Sequence, residues 1–381
     1  MESVRLGDIV KIIKGKKVEE STNESEKAIR YIQIEDLRND DNLKYTEDSK
    51  AIIVNKEHIL IAWDGANAGT IGFNLEGAIG STISALEING LYKNNLSSEF
   101  LGYYLRCKNY YLRATTTGAT IPHISRPALL KLKIPIINIK NQQKIVDALK
   151  KLEELMSRRK KQIQSYNDLI ESLFLSSIDN SKYELIKIND LILEKPKRLS
   201  KDNKSSISYY DISSIDNLKN VIKEEKIITK ASDRPGRAKQ ILEKNDILLS
   251  NVRPNLKNIA YFDFNSTCLA IGSTGFTVLR ADIKKINPRF LFYSVLTEEF
   301  TKKLLINSTG ASYPAVKEEI VRNQTIKIPP IELQNKFADY VIKIEEEKKK
   351  LRSSLAELET LFDALMQDAF SGNLFKDWEG R

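Results

Sequence analysis

Two short stretches of this chain have the residue types of an active-site loop: Thr116–Pro122 reads TTGATIP and Ser308–Pro314 reads STGASYP. Hydroxyls next to a glycine serve nucleophilic chemistry only where a general base activates them, and neither stretch brings one with it. The chain holds only two histidines, at unrelated positions. His123 falls beside the proline of the first stretch, and His58 aligns with Asp246 in the later half of the sequence. Asp216, Glu224 and Lys226 loosely imitate the carboxylate–lysine set of a nuclease, a grouping expected by chance in a chain with 29% charged residues. HExxH, GxxxxGK[ST] and GxGxxG are absent, and IPPI at Ile328–Ile331 lacks the polar head and the aromatic of an amino-group methyltransferase tetrapeptide. Cys107 and Cys268 lie in unrelated contexts and support neither a disulfide framework nor a CxxC metal site. The sequence argues against an enzyme. Gly118 and Gly310 instead permit a tight turn, Pro122 and Pro314 stop the next element, and the expected role is that of a structural loop whose amides and hydroxyls could meet phosphate.

A net charge of +9 and a pI of about 9.1 favour a polyanionic partner, although a merely soluble, lysine-rich protein has the same balance. Contacts to DNA call for Arg, Asn and Gln at base edges and Lys at phosphates. The candidates in the first part of the chain are Lys14, Lys16, Lys17, Arg30, Gln33, Arg38 and Asn67. In the second part they are Lys197, Arg198, Arg234, Arg237, Arg253, Asn255 and Lys257, with RPGR and NVRPNLKN the densest runs.

The elements that would position these residues are written twice. TTGATIP and STGASYP stand 192 residues apart, and AIGST at Ala78–Thr82 returns as AIGST at Ala270–Thr274 with the same offset. FLGYYL matches FLFYSV, VNKEHILIAW matches LEKNDILLSN, YIQIEDL matches YYDISSI, and VRLGDIV matches IKINDLI, all in one order with offsets between 178 and 192. Two copies of this length are an internal duplication with pseudo-two-fold symmetry, not a solenoid.

Each copy begins with short β-rich runs and turn signals, continues into a helix (Glu99–Arg113 in the first), and then reaches the motif loop, a short helix near Pro127–Leu132 and a strand-like KIPII. The period then changes to seven. Ile145, Leu149, Leu152, Met156, Arg159, Ile163, Tyr166, Ile170, Leu173 and Ser177 fall at steps of four and three. Phe337, Val341, Ile344, Lys348, Leu351, Leu355, Leu358, Phe362, Leu365 and Ala369 are the same positions shifted by 192. This spacing is that of a coiled-coil seam, and a helix of that length runs about 55 Å. At the charged seam positions, Arg159 and Lys348 either snorkel along their stems, or fix register or meet a partner subunit. The expected fold is α+β: two similar globular units joined by two long helices in an antiparallel coiled coil. The expected boundaries are 1–139 and 180–331 for the globular units, 140–179 and 332–372 for the helices, and 373–381 for a tail. Without a long apolar run or a signal-like start, the expected location is the cytoplasm.

The paired TTGATIP…KIPI and STGASYP…KIPP stretches each lead into a Gln-bearing helix (NQQKIVDAL; LQNKFADYV), and LMQDAFSGNLF comes at Leu365–Phe375. In this ordered combination, over essentially the whole chain, the sequence resembles the specificity (S) subunits of type I restriction–modification systems. The first-copy counterpart of the last motif, LFLSSI, lacks the glycine. The resemblance implies two target recognition domains, each reading half of an asymmetric, bipartite sequence in double-stranded DNA. It implies a coiled coil that sets the spacing and docks two methylation subunits, with restriction subunits joining when present. No cofactor is expected in this chain: S-adenosylmethionine, ATP and Mg belong to the partner subunits.

A rival from another class is an assembly adaptor whose duplicated heads grip two proteins; steep salt dependence of DNA binding separates the two. A fragment of a fused restriction–methylation enzyme is a second rival, against which the start and the duplication count. If the helices act as a ruler, lengthening both by one turn lengthens the unread spacer and leaves the half-sites unchanged. Methylation mapping that found altered half-sites would contradict this.

Overall fold

The computed structural model describes residues 3–39, 41–118, 120–310 and 314–371. Outside the described residues lie the expected tail 373–381, Gly372–Phe375 of the C-terminal motif, and Ala119, Ala311, Ser312 and Tyr313 of the two motif loops. The chain divides into two compact units, residues 1–161 with 352–381, and residues 162–351. The division falls inside each long helix. Among the described residues no helix is long and apolar enough to cross a membrane.

In the first unit an antiparallel sheet runs Val10–Lys14, Ile83–Ile88, Ile59–Ala62, Ile71–Phe73. A second sheet orders Tyr45–Thr46, Ile29–Ile32, Gly77–Ile79 and Ile53–Val54, with Ile29–Ile32 parallel to Gly77–Ile79. Ser3–Arg5 closes the unit by pairing with Lys133–Pro135. The sequence leads one to expect a single helix over Glu99–Arg113. The structure has two, Ser98–Cys107 and Asn109–Ala114, broken at Lys108. The Asn109 side chain donates to the Gly69 carbonyl at 2.6 Å, which ties the start of the second helix to a loop of the sheet. Ser97 caps the first helix, which buries Phe100, Leu101, Tyr103, Tyr104 and Leu105.

The second unit repeats this plan. Asp246–Ser250 lies between Ile259–Phe262 and Phe276–Leu279, Ile207–Tyr210 runs parallel to Leu269–Ser273, and Glu184–Lys187 pairs with Thr325–Ile328. Asp246 is fully buried; burial pushes its carboxyl up, and the Arg280 guanidinium opposes that with two contacts of 2.8 Å. His58, its sequence counterpart, turns back on Asn55 instead, Nδ1 to Oδ1 at 2.7 Å.

The long helices span Ile139–Ile178 and Ile331–Ser371. In the first unit Ile145, Val146 and Leu149 share a core with Met366, Ala369 and Phe370; in the second, Ile170 and Phe174 share one with Phe337, Val341 and Ile344. In each unit, therefore, the start of one helix meets the end of the other, and the pair is antiparallel. Of the seam positions, Ile145, Leu149, Leu152, Ile170, Phe337, Val341 and Ile344 are buried. Met156, Ile163, Tyr166, Leu173, Leu351, Leu355, Leu358, Phe362 and Leu365 are partly buried. Lys348 is 5% exposed and its ammonium reaches Glu345 at 2.6 Å, while Arg159 is partly buried.

A buried glutamine locks the first turn of each helix to its unit. The Gln142 side chain accepts from the Ser97 amide (2.8 Å) and donates to the carbonyls of Asn95 (2.7 Å) and Ile137 (2.8 Å). Gln334, 192 residues on, accepts from the Asn287 amide (2.9 Å) and donates to the Pro329 carbonyl (2.8 Å). Gln142→Leu removes hydrogen bonds to three backbone groups and is expected to lower stability by about 3 kcal/mol. Gln334→Leu removes those to two and is expected to cost less. Urea unfolding monitored by circular dichroism checks both, and an unchanged midpoint for Gln142→Leu would contradict the assignment.

Candidate nucleic-acid interface

The duplicated motif loops have a structural reason. Thr117 and His123 exchange backbone hydrogen bonds of 2.9 and 2.8 Å, and Thr309 and Ala315 do the same at 2.9 Å each, so both loops are pinched shut at the same place. Gly118 and Gly310 have φ of 97° and 92°; a Cβ on Gly118 would lie 2.4 Å from the Ile121 carbonyl. The proline carbonyl then anchors a neighbouring hairpin loop. Pro122 accepts from the Gly65 amide at 2.9 Å, and Pro314 accepts from the Arg253 amide at 2.7 Å. The AIGST turn joins the same cluster in the first unit, where the Trp63 amide donates to the Thr82 carbonyl, and in the second the Asn251 amide donates to that of Gly275. Each unit therefore gathers three separate loops on one face.

The hairpin loops share a backbone and differ in side chains. Gly65 and Gly69 have φ of 89° and 91°; Arg253 and Lys257, at the equivalent places, have φ of 49° and 47°. An L residue in this region carries roughly 1 kcal/mol of strain, and strain of this kind concentrates at functional sites. Asn67 and Asn255 sit at equivalent positions between them. Arg253 and Asn255 are exposed, and Lys257 is partly buried with its ammonium 2.6 Å from Glu298.

The structure sorts the remaining candidates. Arg38 is exposed on this face, donating to Asn67 Oδ1 at 2.7 Å and Thr70 Oγ1 at 3.3 Å, so two residues chosen separately form one donor cluster. Lys14, Lys16, Lys17, Lys197, Arg198 and Arg237 are exposed. Lys16 and Arg237 are tied to the AIGST segments: the Lys16 amide donates to the Ile79 carbonyl, and the Thr274 amide donates to that of Arg237. Three others are occupied within the fold. Arg30 pairs with buried Asp36 at 3.1 Å, Gln33 donates to Glu20, and the Arg234 guanidinium holds the Asn203 carbonyl (2.7 Å) and the Ser205 carbonyl. The nuclease-like trio assembles only in part: Lys226 reaches Glu224 at 3.5 Å and Asp211 at 2.9 Å, while Asp216 accepts the amides of Leu218 and Lys219 in its own turn. Among the described residues no group of His, Cys, Asp and Glu could hold a metal ion.

Sequence reasoning missed a pair in the first unit. His123 Nδ1 lies 2.6 Å from Asp64 Oδ1, across the contact between motif loop and hairpin loop. The second unit has Val252 and Ala315 there, bridged through backbone alone. The signal was faint, since 59 residues separate the partners.

Because glycine takes the left-handed backbone at position 253 without strain, Arg253→Gly is expected to be more stable than Arg253→Ala by about 1 kcal/mol. Thermal unfolding of the two variants side by side checks this; equal stability would show that the conformation carries no strain.

Known proteins match nearly the whole chain. Residues 1–165 and 180–359 match the family model described as type I restriction modification DNA specificity domain. The chain is 26% identical to the type I restriction enzyme MjaVIII specificity subunit of Methanocaldococcus jannaschii, over 98% of this chain and 92% of that one. It is 28% identical to the HindI specificity subunit of Haemophilus influenzae over 40% of this chain and 31% of that one. Among solved structures, the type I restriction–modification S subunit from M. genitalium superposes with a TM-score of 0.61 at 16% identity, covering 97% of this chain and 96% of that one. A chain from work on complex assembly and conformational transition of the type I R-M system gives 0.57 at 14% identity, covering 97% of each. These two establish a shared fold. The family model matches most of the sequence in two successive segments, and the chain belongs to the type I restriction modification DNA specificity domain family.

Proposed function

We infer that this chain is the sequence-specific DNA-recognition subunit of a type I restriction–modification complex, a specificity subunit and not the catalyst. The observation that carries this reading is the duplicated face. Both units gather the same three loops, tie the motif loop to the hairpin loop by the same backbone bond, and present different side chains on them, as two different half-sites require. We propose the expected boundaries for the parts: recognition domains over 1–139 and 180–331, and spacing helices over 140–179 and 332–372. Reading both halves at once multiplies specificity, provided that the linkage is stiff. The bipartite, asymmetric target, the docking of two methylation subunits and of restriction subunits, and a cytoplasmic location belong to the same proposal. S-adenosylmethionine, ATP and Mg would be bound by those partners.

Among the DNA-contact candidates, the proposal favours exposed Arg38 with its partly buried partner Asn67 for base edges in one half-site, exposed Arg253 and Asn255 in the other, and exposed Lys14, Lys16, Lys17, Lys197, Arg198 and Arg237 for phosphates. Arg30, Gln33, Arg234 and Lys257 support the loops from within the fold.

Methylome sequencing of the host with the gene intact and deleted is the direct test. Loss of one split adenine motif on deletion is the expected result; an unchanged methylome, with the methylation subunit expressed, favours the adaptor. In the complex, Arg38→Ala with Asn67→Ala is expected to relax one half-site, and Arg253→Ala with Asn255→Ala the other, at about 1–3 kcal/mol per lost base contact. Lys14→Ala weakens binding evenly across sequences and reduces the salt slope by about one.

A further inference from the structure

Among the described residues, the most exposed large apolar side chain of the second unit stands beside its hairpin loop. Leu218 is 91% exposed, at the turn joining the strands Ile215–Asp216 and Val221–Ile222. A single exposed leucine is ordinary. The support beneath this one is not. Asp216 Oδ1 accepts the amides of Leu218 (3.1 Å) and Lys219 (3.2 Å). Asn217 donates from its side chain to the Leu256 carbonyl (2.9 Å), and Asn220, itself at φ 53°, donates to those of Lys257 (2.9 Å) and Ile259 (3.1 Å). Two polar side chains, Asn217 and Asn220, thus rivet the turn to the loop that carries Arg253 and Asn255, and Asp216 braces the turn itself. Leu256 in that loop adds a second apolar side chain, 40% exposed.

The first unit offers nothing comparable in sequence. Its hairpin loop reads GANAG against RPNLK, and the residues aligned with Leu218 and Lys219 are Asp40 and Asp41. The difference therefore falls where the two units must read different bases.

We propose that Leu218, seconded by Leu256, reads a thymine methyl group in the half-site taken by the second unit. In the major groove the thymine C5-methyl is the apolar feature of the four base pairs, and apolar side chains recognise it by contact. A leucine on a turn bonded to the loop of Arg253 and Asn255 fits that role: Arg253 and Asn255 take phosphates or base edges, and the apolar tip excludes water from the methyl. The rigid turn matters because a mobile leucine would lose its contact to the entropy of ordering it. This proposal rests on the DNA-recognition reading above.

The test uses the full chain assembled with its methylation subunits and duplexes of the host motif in which each thymine is replaced in turn by deoxyuridine. One replacement, in one half-site, is expected to weaken wild-type binding about fourfold, the worth of one buried methyl group. Leu218→Ala should weaken binding to the unmodified duplex by a similar factor and respond no further to that replacement, while Arg38→Ala keeps the full response. At 91% exposure, Leu218 can be shortened without unfolding the unit. A wild-type complex that binds its motif specifically but responds to no deoxyuridine overturns the proposal and leaves the recognition role intact. So does a response of the same size in Leu218→Ala. A wild-type complex with no sequence-specific binding removes the underlying reading, and the proposal with it.

Discussion

The first unit cannot bury its core with contiguous chain, and most of the architecture stems from that. The first unit lays Phe370 against Phe100 and Tyr104, with ring centroids 5.2 and 5.5 Å apart, although some 270 residues of sequence lie between them. In the second, Phe174 packs on Phe290 and Phe337 at 5.3 and 5.6 Å. A helix that starts in one unit's core must therefore meet, within that core, the end of the other helix, and an antiparallel pair is the arrangement that satisfies both. The heptad seam continues that contact outward from each unit. Gln142 and Gln334 fix the rotation of each helix at its root, because a turned helix would leave buried amides and carbonyls unpaired.

Above this frame the two units keep their backbone devices and exchange their side chains. The proline carbonyl of the motif loop holds the hairpin loop in both, and the left-handed residues recur at the same two places. The side chains on them differ: Asp64 and His123 against Val252 and Ala315, two glycines against Arg253 and Lys257. Hydrogen bonds between main-chain atoms tolerate such exchange because they specify conformation and not residue type. A surface built this way can change its chemistry while its shape stays put.

The parts of this plan that sequence made legible are those written in local spacing. The duplication, the heptads and the tight glycine turns are periodic or adjacent features. The loop face was only half legible. Donors such as Arg30 and Arg234 could be named from sequence, but not the acceptors that consume them: Asn203 lies 31 residues from Arg234 and within no motif. The break at Lys108 escaped for the same reason, since the bond from Asn109 ends on Gly69, 40 residues away. Arg38 and Asn67 were chosen as separate surface residues, and only the fold brings them together. Side-chain pairing across long separations is set by tertiary packing, which no local pattern encodes.

The discontinuity of the first unit also orders events at the ribosome. Residues 162–351 are one uninterrupted stretch, so the second unit has all its core residues once that stretch has been made. The first unit begins earlier and waits. The part of its core that Phe100, Tyr104, Ile145, Val146 and Leu149 build with Met366, Ala369 and Phe370 stays incomplete until those three emerge. The unit synthesised first is thus the last to close, and an apolar surface left open for that interval is what chaperones bind. A ribosome stalled in the second long helix would release a chain with one finished head and one unfinished, able to present half of a recognition surface and unable to complete the other.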